Sequence, residues 1–184
     1  FLFEPNTVLG RSNKFFIKSC EKIFCYSKKI RNFPNKFVNK ISIIPTLLRK
    51  EFYNIKKIDT NNKNINLLII GGSQGAKSFD IIVQNTTINL AKKYKLKIYQ
   101  QTNHKNFQSL KLFYQANEID CELFDFNEDI SVLMNKTNIC LTRAGASTLA
   151  ELVFLNIPHL AIPLPTAKDN HQFENASFYN QHGC

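Results

Sequence analysis

The chain has 184 residues, of which 43% are hydrophobic and 21% are charged, and its formal net charge is +10. This length and composition are those of an ordinary globular protein with a buried core, which excludes a disordered or low-complexity chain. No apolar run approaches the roughly 20 residues of a membrane-spanning helix. The sequence begins at Phe1 without an initiator Met or a signal-peptide pattern, so we expect an incomplete piece of a longer protein.

The first third of the chain carries the excess of positive charge. Residues 1–57 contain 13 Lys and Arg against three acids, whereas residues 58–184 contain 11 of each. The pattern predicts a basic amphipathic helix over residues 12–24, with Phe16 and Phe24 on its apolar face. Such a helix could lie on anionic lipid; a packed helix with a solvated lysine face is the alternative. Nucleic acid is not an expected partner, because no recognition motif is present.

Strands and helices then alternate along the chain. Two short strands are predicted at 23–27 and 41–44. Further strands are predicted at 67–70, 96–101, 121–124, 138–142 and 158–163, and helices at 76–93, 106–117, 129–135, 145–155 and from about 169. This alternation predicts an α/β fold, a parallel sheet with helices on both faces.

The five cysteines form no C-x-x-C pair and do not cluster with the four histidines. An odd number without a spacing pattern is typical of reduced thiols and not of a disulfide framework. We therefore expect core cysteines, and we predict neither a metal nor a cofactor.

A glycine-rich turn, Gly71-Gly72-Ser73-Gln74-Gly75, follows the strand at 67–70. Glycines let a ligand approach the backbone closely, and free amides at a helix start form a site for phosphate. The turn has neither the dinucleotide-binding spacing nor that of a Walker loop. A tight turn without a ligand is the simpler interpretation.

The same turn matches G-x-S-x-G, the nucleophile elbow of serine hydrolases. Ser73 would be the nucleophile, with Asp169 and either His171 or His182 as partners. Against this, residues 11–70 contain no glycine for an oxyanion loop. Asp169 and His171 are also only two residues apart, which is a poor separation for a triad.

A second turn of small and hydroxyl residues, 143–151, leads into another predicted helix. Its Ser147 and Thr148 could hold a second phosphate group. Glu151 lies about one helical turn further on, where its carboxylate can accept two hydroxyl groups, such as those of a ribose. A third element, the loop at 163–172, ends in Gln172, which suits sugar hydroxyls because it both donates and accepts.

These three elements, in this order, resemble the MurG family of bacterial glycosyltransferases. The resemblance rests on residues 71–76, 143–151 and 168–176, and upstream on Glu4-Pro5-Asn6 and residues 44–49. It covers essentially the whole chain.

The resemblance implies a GT-B fold, with two Rossmann-like domains that face each other across a cleft. Residues 1–48 would end the first domain and residues 49–184 would form most of the second, donor-binding domain. The family transfers N-acetylglucosamine from UDP-N-acetylglucosamine to undecaprenyl-pyrophosphoryl-muramoyl-pentapeptide in peptidoglycan synthesis. It acts as a peripheral protein on the cytoplasmic face of the inner membrane, with membrane association in the first domain. Another GT-B UDP-sugar transferase and a UDP-sugar epimerase are the alternatives.

The resemblance also implies roles for single residues. Ser73 and the turn at 146–148 would hold the diphosphate, and Glu151 would take the ribose. Asn127 would read the uracil through its backbone and Gln172 would bind the sugar. The expected donor site consists of Asn6, Arg49, Ser73, Asn127, Ala146, Ser147, Thr148, Leu149, Ala150, Glu151 and Gln172. The family's N-terminal glycine-rich loop and histidine, which serve the acceptor and the proton transfer, are not in this chain. We therefore assign no catalytic residue here and expect the chain alone to be inactive.

Overall fold

The structure, a computed structural model, describes residues 1–56 and 64–183, and for residues 73–77 it describes the backbone alone. The chain forms two compact units. Unit 1 consists of Phe1–Leu48, Ala144–Ala150 and Pro163–Cys184, and unit 2 of Arg49–Arg143 and Glu151–Ile162. The predicted domains 1–48 and 49–184 stay a prediction.

The strands are β1 (Leu2–Glu4), β2 (Ile23–Cys25), β3 (Ile41–Ile43), β4 (Asn64–Ile70), β5 (Lys95–Gln101), β6 (Asp120–Phe124), β7 (Ile139–Thr142) and β8 (His159–Ala161). The helices are α1 (Arg11–Phe16), α2 (Lys50–Tyr53), α3 (Gly72–Ile82), α4 (Gln84–Ala91), α5 (Phe107–Ala116), α6 (Ile130–Asn135), α7 (Ala146–Phe154) and α8 (His171–Gln181). Within the described ranges, no helix is both long enough and apolar enough to cross a membrane.

Unit 1 contains a parallel sheet in the order β1-β2-β3. Its buried cluster consists of Leu9, Ile17, Ile23, Cys25 and Ile30. Ile23 and Cys25 point to the same side of β2 because side chains alternate along a strand. Both are fully buried, so the middle strand carries the centre of this core.

The predicted basic amphipathic helix over residues 12–24 is wrong. α1 ends at Phe16, and the chain has already entered β2 at Ile23. The ammonium group of Lys40 donates to three carbonyl oxygens just beyond the helix end, at 3.0, 2.9 and 2.6 Å, those of Ile17, Lys18 and Cys20. A cation that satisfies the last carbonyls stabilises a helix end, so a residue far along the chain sets where α1 stops.

Unit 2 contains a five-stranded sheet in the order β6-β5-β4-β7-β8, with every pair parallel. The predicted α/β fold is confirmed. β4 lies in the middle, and the strand order reverses between β4 and β7. Ligands of open parallel sheets bind at the carboxyl ends of the strands where the order reverses. The turns after these two strands are the glycine turn and the turn that begins at Arg143.

The core of unit 2 covers both faces of this sheet. Leu67 and Ile69 of β4 pack in a buried cluster with Phe79 of α3, with Val83 at the end of that helix and with Leu110 of α5. Leu68 and Ile70 point to the opposite face and are also buried. Burial on both faces is typical of parallel sheets, and each buried aliphatic side chain contributes roughly 1.5–3 kcal/mol.

The predicted helix at 76–93 is two helices, α3 and α4, which meet at Val83. The side-chain amide of Gln84 donates to the carbonyl oxygen of Asp80 at 2.8 Å. In a continuous helix that oxygen would accept from the backbone N–H of Gln84. A side-chain hydrogen bond of this kind competes with the helical one, which accounts for the break.

The prediction of core cysteines is confirmed for Cys25 and Cys140, whereas Cys20 and Cys121 are only half-buried. Cys20, Cys25, Cys121 and Cys140 are free thiols, and Cys25 and Cys140 are buried. Burial, with a smaller effect of Glu4, raises the pKa of Cys25 to about 11. Burial also raises the pKa of Cys140. Both thiols are therefore protonated and unreactive at neutral pH.

The buried carboxylate of Asp80 organises a polar network inside unit 2. It accepts from Gln100 Nε2 at 2.8 Å, Thr102 Oγ1 at 2.8 Å and Asn106 Nδ2 at 2.7 Å. Gln100 in turn accepts from the hydroxyl of Tyr114, whose pKa is raised by burial. The network ties α3 to the end of β5 and to the turn that precedes α5.

We expect the substitution Asp80→Ala to lower the free energy of unfolding by about 3 kcal/mol, because three donors lose their acceptor. Asp120→Ala is the matched control, since Asp120 is exposed and its ion pair with Lys97 spans 3.5 Å. Removing such a surface pair changes stability by less than about 1 kcal/mol. Urea unfolding followed by circular dichroism measures both, and equal effects would contradict the role of the network.

Candidate functional site

The glycine turn after β4 is built around a backbone conformation that favours glycine. Gly72 has φ +65°, in the left-handed region, and open space lies where a Cβ would be. Its N–H donates to Gln101 Oε1 at 2.9 Å, and Gln101 Nε2 donates to the carbonyl oxygen of Asp125 at 3.0 Å. Gln101 therefore connects the turn to the loop that contains Asn127. The side chain of Ser73 lies outside the described residues.

Arg143 places a buried positive charge beside this turn. Its backbone N–H donates to the carbonyl oxygen of Ile70, at the end of β4, at 3.2 Å. Its guanidinium donates to the carbonyl oxygen of Ile162 at 3.2 Å, contacts the hydroxyl of Ser78 and lies 4.5 Å from the centre of the Phe79 ring. Burial lowers the pKa of Arg143, although an arginine stays charged in proteins. The fixed cation makes the potential more positive where two of the sheet's strands end.

Arg49 and Glu151 form a two-pronged ion pair in unit 2. Arg49 Nε lies 2.8 Å from Glu151 Oε1, and Arg49 Nη2 lies 2.8 Å from Oε2. The Glu151 side chain is 3% exposed and the Arg49 side chain 49% exposed. The guanidinium also lies 5.2 Å from the centre of the Phe52 ring. The structure thus joins two residues that the sequence placed separately in the donor site.

The other predicted donor residues of the segment 143–151 are residues 146–150, which form the start of α7. Leu149 and Ala150 are buried and Ser147 is exposed. Ala146 is buried and Thr148 is half-buried. Glu151 is buried, so it is not a surface acid of the helix.

In unit 1, a buried carboxylate shapes the segment that contains Asn6. Glu4 accepts from Asn6 Nδ2 at 3.0 Å, from the Gly10 N–H at 2.7 Å and from Asn13 Nδ2 at 2.9 Å. A Cβ on Gly10 would lie 3.1 Å from a Glu4 oxygen, so this close approach favours glycine. Glu4, the last residue of β1, thereby fixes the position of Asn6.

Asn175 is a polar junction that the sequence reasoning assigned no role of its own. Its Oδ1 accepts from the N–H and the hydroxyl of Thr7 at 3.1 and 3.2 Å. Its Nδ2 donates to Asn6 Oδ1 at 3.0 Å and to the carbonyl oxygen of Ala144 at 3.2 Å. This buried amide therefore holds α8, the segment after β1 and the turn before α7 together. No local spacing signals it, because Thr7 lies 168 residues away along the chain.

The loop at 163–172 is held in an unusual backbone conformation. Asp169 and Asn170 have φ values of +53° and +56°, which Asn and Asp tolerate better than other non-glycine residues. Gln172 Oε1 accepts from the Leu164 N–H at 2.8 Å, and His171 Nδ1 lies 2.8 Å from the Lys168 carbonyl oxygen. Strained residues of this kind cluster at ligand sites.

Asn6 and this loop share a cavity in unit 1. The cavity has a volume of about 300 Å³ and is lined by both segments, with Asn6, Arg11, Lys168, Asp169 and His171 among its residues. Arg11 and Asp169 form an exposed ion pair at 3.4 Å across it. No cluster of metal-ligating side chains occurs among the residues that the structure describes.

Comparisons with known proteins assign this arrangement to a family. The Glycosyltransferase family 28 C-terminal domain matches residues 66–184, which include both turns and the loop. The chain belongs to glycosyltransferase family 28. The serine-hydrolase alternative is not favoured, because the family 28 match contains the G-x-S-x-G turn itself.

Relatives of this family 28 chain bear the name UDP-N-acetylglucosamine--N-acetylmuramyl-(pentapeptide) pyrophosphoryl-undecaprenol N-acetylglucosamine transferase. One from Pelagibacter ubique is 66% identical over 182 residues, which cover 99% of this chain and 51% of the relative. One from Rickettsia canadensis is 36% identical, covering 96% of this chain and 51% of the relative. The chain thus spans about half the length of the curated relatives it matches.

A solved structure, that of Acinetobacter baumannii MurG, superposes with a TM-score of 0.74 at 24% identity. The superposition covers 98% of this chain and 50% of the Acinetobacter baumannii chain. The predicted GT-B class of fold and the resemblance to the MurG family are confirmed.

We expect Asn175→Ala to destabilise the protein by about 2–4 kcal/mol, since half-buried groups of Thr7 and Asn6 and the buried carbonyl oxygen of Ala144 lose this partner. Asn180→Ala is the control on the same helix, because Asn180 is exposed. Thermal unfolding by circular dichroism measures both. A similar loss in the two variants, or none in either, would show that Asn175 is not a junction.

Proposed function

We propose that the protein transfers N-acetylglucosamine from UDP-N-acetylglucosamine to the lipid-linked muramoyl-pentapeptide of peptidoglycan synthesis, and that this chain binds the donor. The observation that carries the proposal is the buried carboxylate of Glu151, which lies one turn into the helix after β7, next to the reversal of strand order. A buried carboxylate in that position suits the hydroxyl groups of a nucleotide's ribose. The 66% identity to a transferase of that name supports this choice over another UDP-sugar enzyme.

The donor's diphosphate would be held where the backbone amides of the glycine turn and the fixed charge of Arg143 favour an anion. The side-chain oxygen Oε1 of Gln172 already accepts from the Leu164 N–H, so the side-chain NH2 group would donate to sugar hydroxyls. Asn127, in the loop tied to Gln101, would contact the base through its backbone. Asn6 would complete the sugar site from the segment that Glu4 and Asn175 hold in place.

The reaction would be an inverting displacement. The acceptor hydroxyl oxygen forms a bond to the anomeric carbon, the bond from that carbon to the β-phosphate oxygen breaks, and the hydroxyl proton passes to a base. Negative charge grows on the departing UDP. Donors and cations arranged around the diphosphate before the reaction stabilise this charge, which is the contribution we assign to this chain.

Glu151→Ala tests the donor site. We expect it to weaken UDP binding by roughly 10- to 100-fold, because two hydrogen bonds to a charged acceptor are lost. Glu122→Ala is the control, since Glu122 is an exposed acid on β6. Isothermal titration calorimetry with UDP measures both. A folded wild-type protein that does not bind UDP would refute the proposed function.

We also propose that unit 1 associates peripherally with the anionic cytoplasmic face of the inner membrane. Because α1 ends at Phe16, the membrane-facing surface would be this short helix and the residues just after it. The short helix exposes Phe15 and Phe16, which are 78% and 54% accessible, beside the exposed Lys14 and Lys18. Exposed aromatic side chains flanked by lysines suit the interface of an anionic bilayer.

Lys14→Gln combined with Lys18→Gln should reduce binding to phosphatidylglycerol vesicles about tenfold or more, at roughly 1 kcal/mol per lysine near the surface. Co-sedimentation at low and high salt measures the loss, which salt should mask. Lys92→Gln with Lys93→Gln is the matched control in unit 2, where both lysines are exposed. Equal losses in the two pairs would contradict a membrane surface on α1.

A further inference from the structure

The carboxylate of Glu151 is covered by its partner. Each of its oxygens accepts one hydrogen bond of 2.8 Å from Arg49, and its side chain is only 3% exposed. The two nitrogens of the guanidinium fork approach the two oxygens side by side, which is also how the two hydroxyls of a ribose would approach them. Because the carboxylate is so little exposed, a ribose can reach its two oxygens only after Arg49 moves aside.

Arg49 is the member of the pair that can leave. Its side chain is 49% exposed, whereas Glu151 is fixed in the second turn of α7. Its place is defined by the ion pair and by the face of the Phe52 ring, 5.2 Å away. A half-exposed guanidinium can rotate into water or onto another anion with little desolvation cost, because it keeps part of its hydration in both positions.

We propose that Arg49 is a specificity-determining residue that makes binding at the ribose site depend on a diphosphate. Arg49 competes with the ribose for Glu151. Once the ribose has displaced it, Arg49 pairs with the phosphates of the same ligand. This inference rests on the proposed function, because it assumes that Glu151 takes the ribose.

The exchange discriminates between classes of ligand. A nucleoside must break the Arg49–Glu151 pair and leaves the guanidinium without a carboxylate. A nucleoside diphosphate breaks the same pair but offers the guanidinium phosphate oxygens, which an arginine fork can bind two at a time. The difference in affinity between a nucleoside diphosphate and a nucleoside is therefore larger than the phosphate contacts alone would give.

The variant Arg49→Met tests the exchange, because it keeps an apolar side chain on Phe52 and removes the fork. We expect uridine to bind about threefold more tightly, since its competitor is gone. We expect UDP to bind roughly tenfold more weakly, since a charge-assisted contact to phosphate is gone. NMR titration with uridine and calorimetry with UDP measure the two changes, which have opposite signs.

Lys97→Met is the matched control. Lys97 also combines an ion pair, 3.5 Å to Asp120, with an aromatic contact, 5.3 Å to the Tyr99 ring, but it lies on β5 away from the predicted donor residues. We expect both affinities to stay unchanged in this variant. In the wild-type protein, the Nε–H resonance of Arg49 should shift on addition of UDP, which reports its change of partner directly.

The outcomes of these measurements distinguish a failure of the Arg49 exchange from a failure of the proposed donor site. If uridine binds more weakly to Arg49→Met, or as it does to the wild type, Arg49 holds Glu151 in place or is neutral, and the exchange is refuted. If UDP binds Arg49→Met as tightly as the wild type, the exchange is refuted too. A folded wild-type protein that binds no UDP refutes the donor site itself.

Discussion

β4 pairs with the strand that follows it along the chain, β5, on one side and with β7 on the other. Most of the candidate site in unit 2 depends on this pairing. Because all five strands are parallel, the ends of β4 and β7 meet at one edge, and the hydrogen bond from Arg143 to Ile70 extends their pairing into the turns. The sheet therefore supplies, after β4 and β7, an anion-favouring edge that neither strand end would provide alone.

The sequence predicted the strands of this sheet well because short apolar runs need no distant partner to be recognised. α1 shows where that reasoning stops. Residues 12–24 have a helical spacing of apolar side chains, yet Lys40 binds the carbonyl groups of residues 17, 18 and 20 and the chain enters β2. The spacing of apolar residues shows only which face of a helix would be apolar if the helix formed. It does not show that a lysine about 20 residues further along the chain binds the carbonyl groups at the helix end.

The candidate site was predicted in the same uneven way. Motifs identified Glu151, Arg49, Asn6 and Gln172 as separate members of a donor site. They did not show that Arg49 and Glu151, which lie 102 residues apart, bind each other, or that Asn175 holds Asn6 in place. A side chain's hydrogen-bond partners depend on the packed fold, so a motif can name a residue without revealing what it contacts before the ligand arrives.

Among the residues that the structure describes, three carboxylates are buried: Glu4, Asp80 and Glu151. Glu4 and Asp80 accept from neutral amide, hydroxyl and backbone donors that are themselves part of the packed structure. Exchanging those donors for a ligand would require the surrounding segments to unfold, because a buried carboxylate without donors is costly. Glu151 differs in that its donor is a half-exposed arginine on a long side chain. Of the three, it alone accepts from a donor that can move without unfolding the surrounding segments, which is the physical property that the proposed ribose site requires.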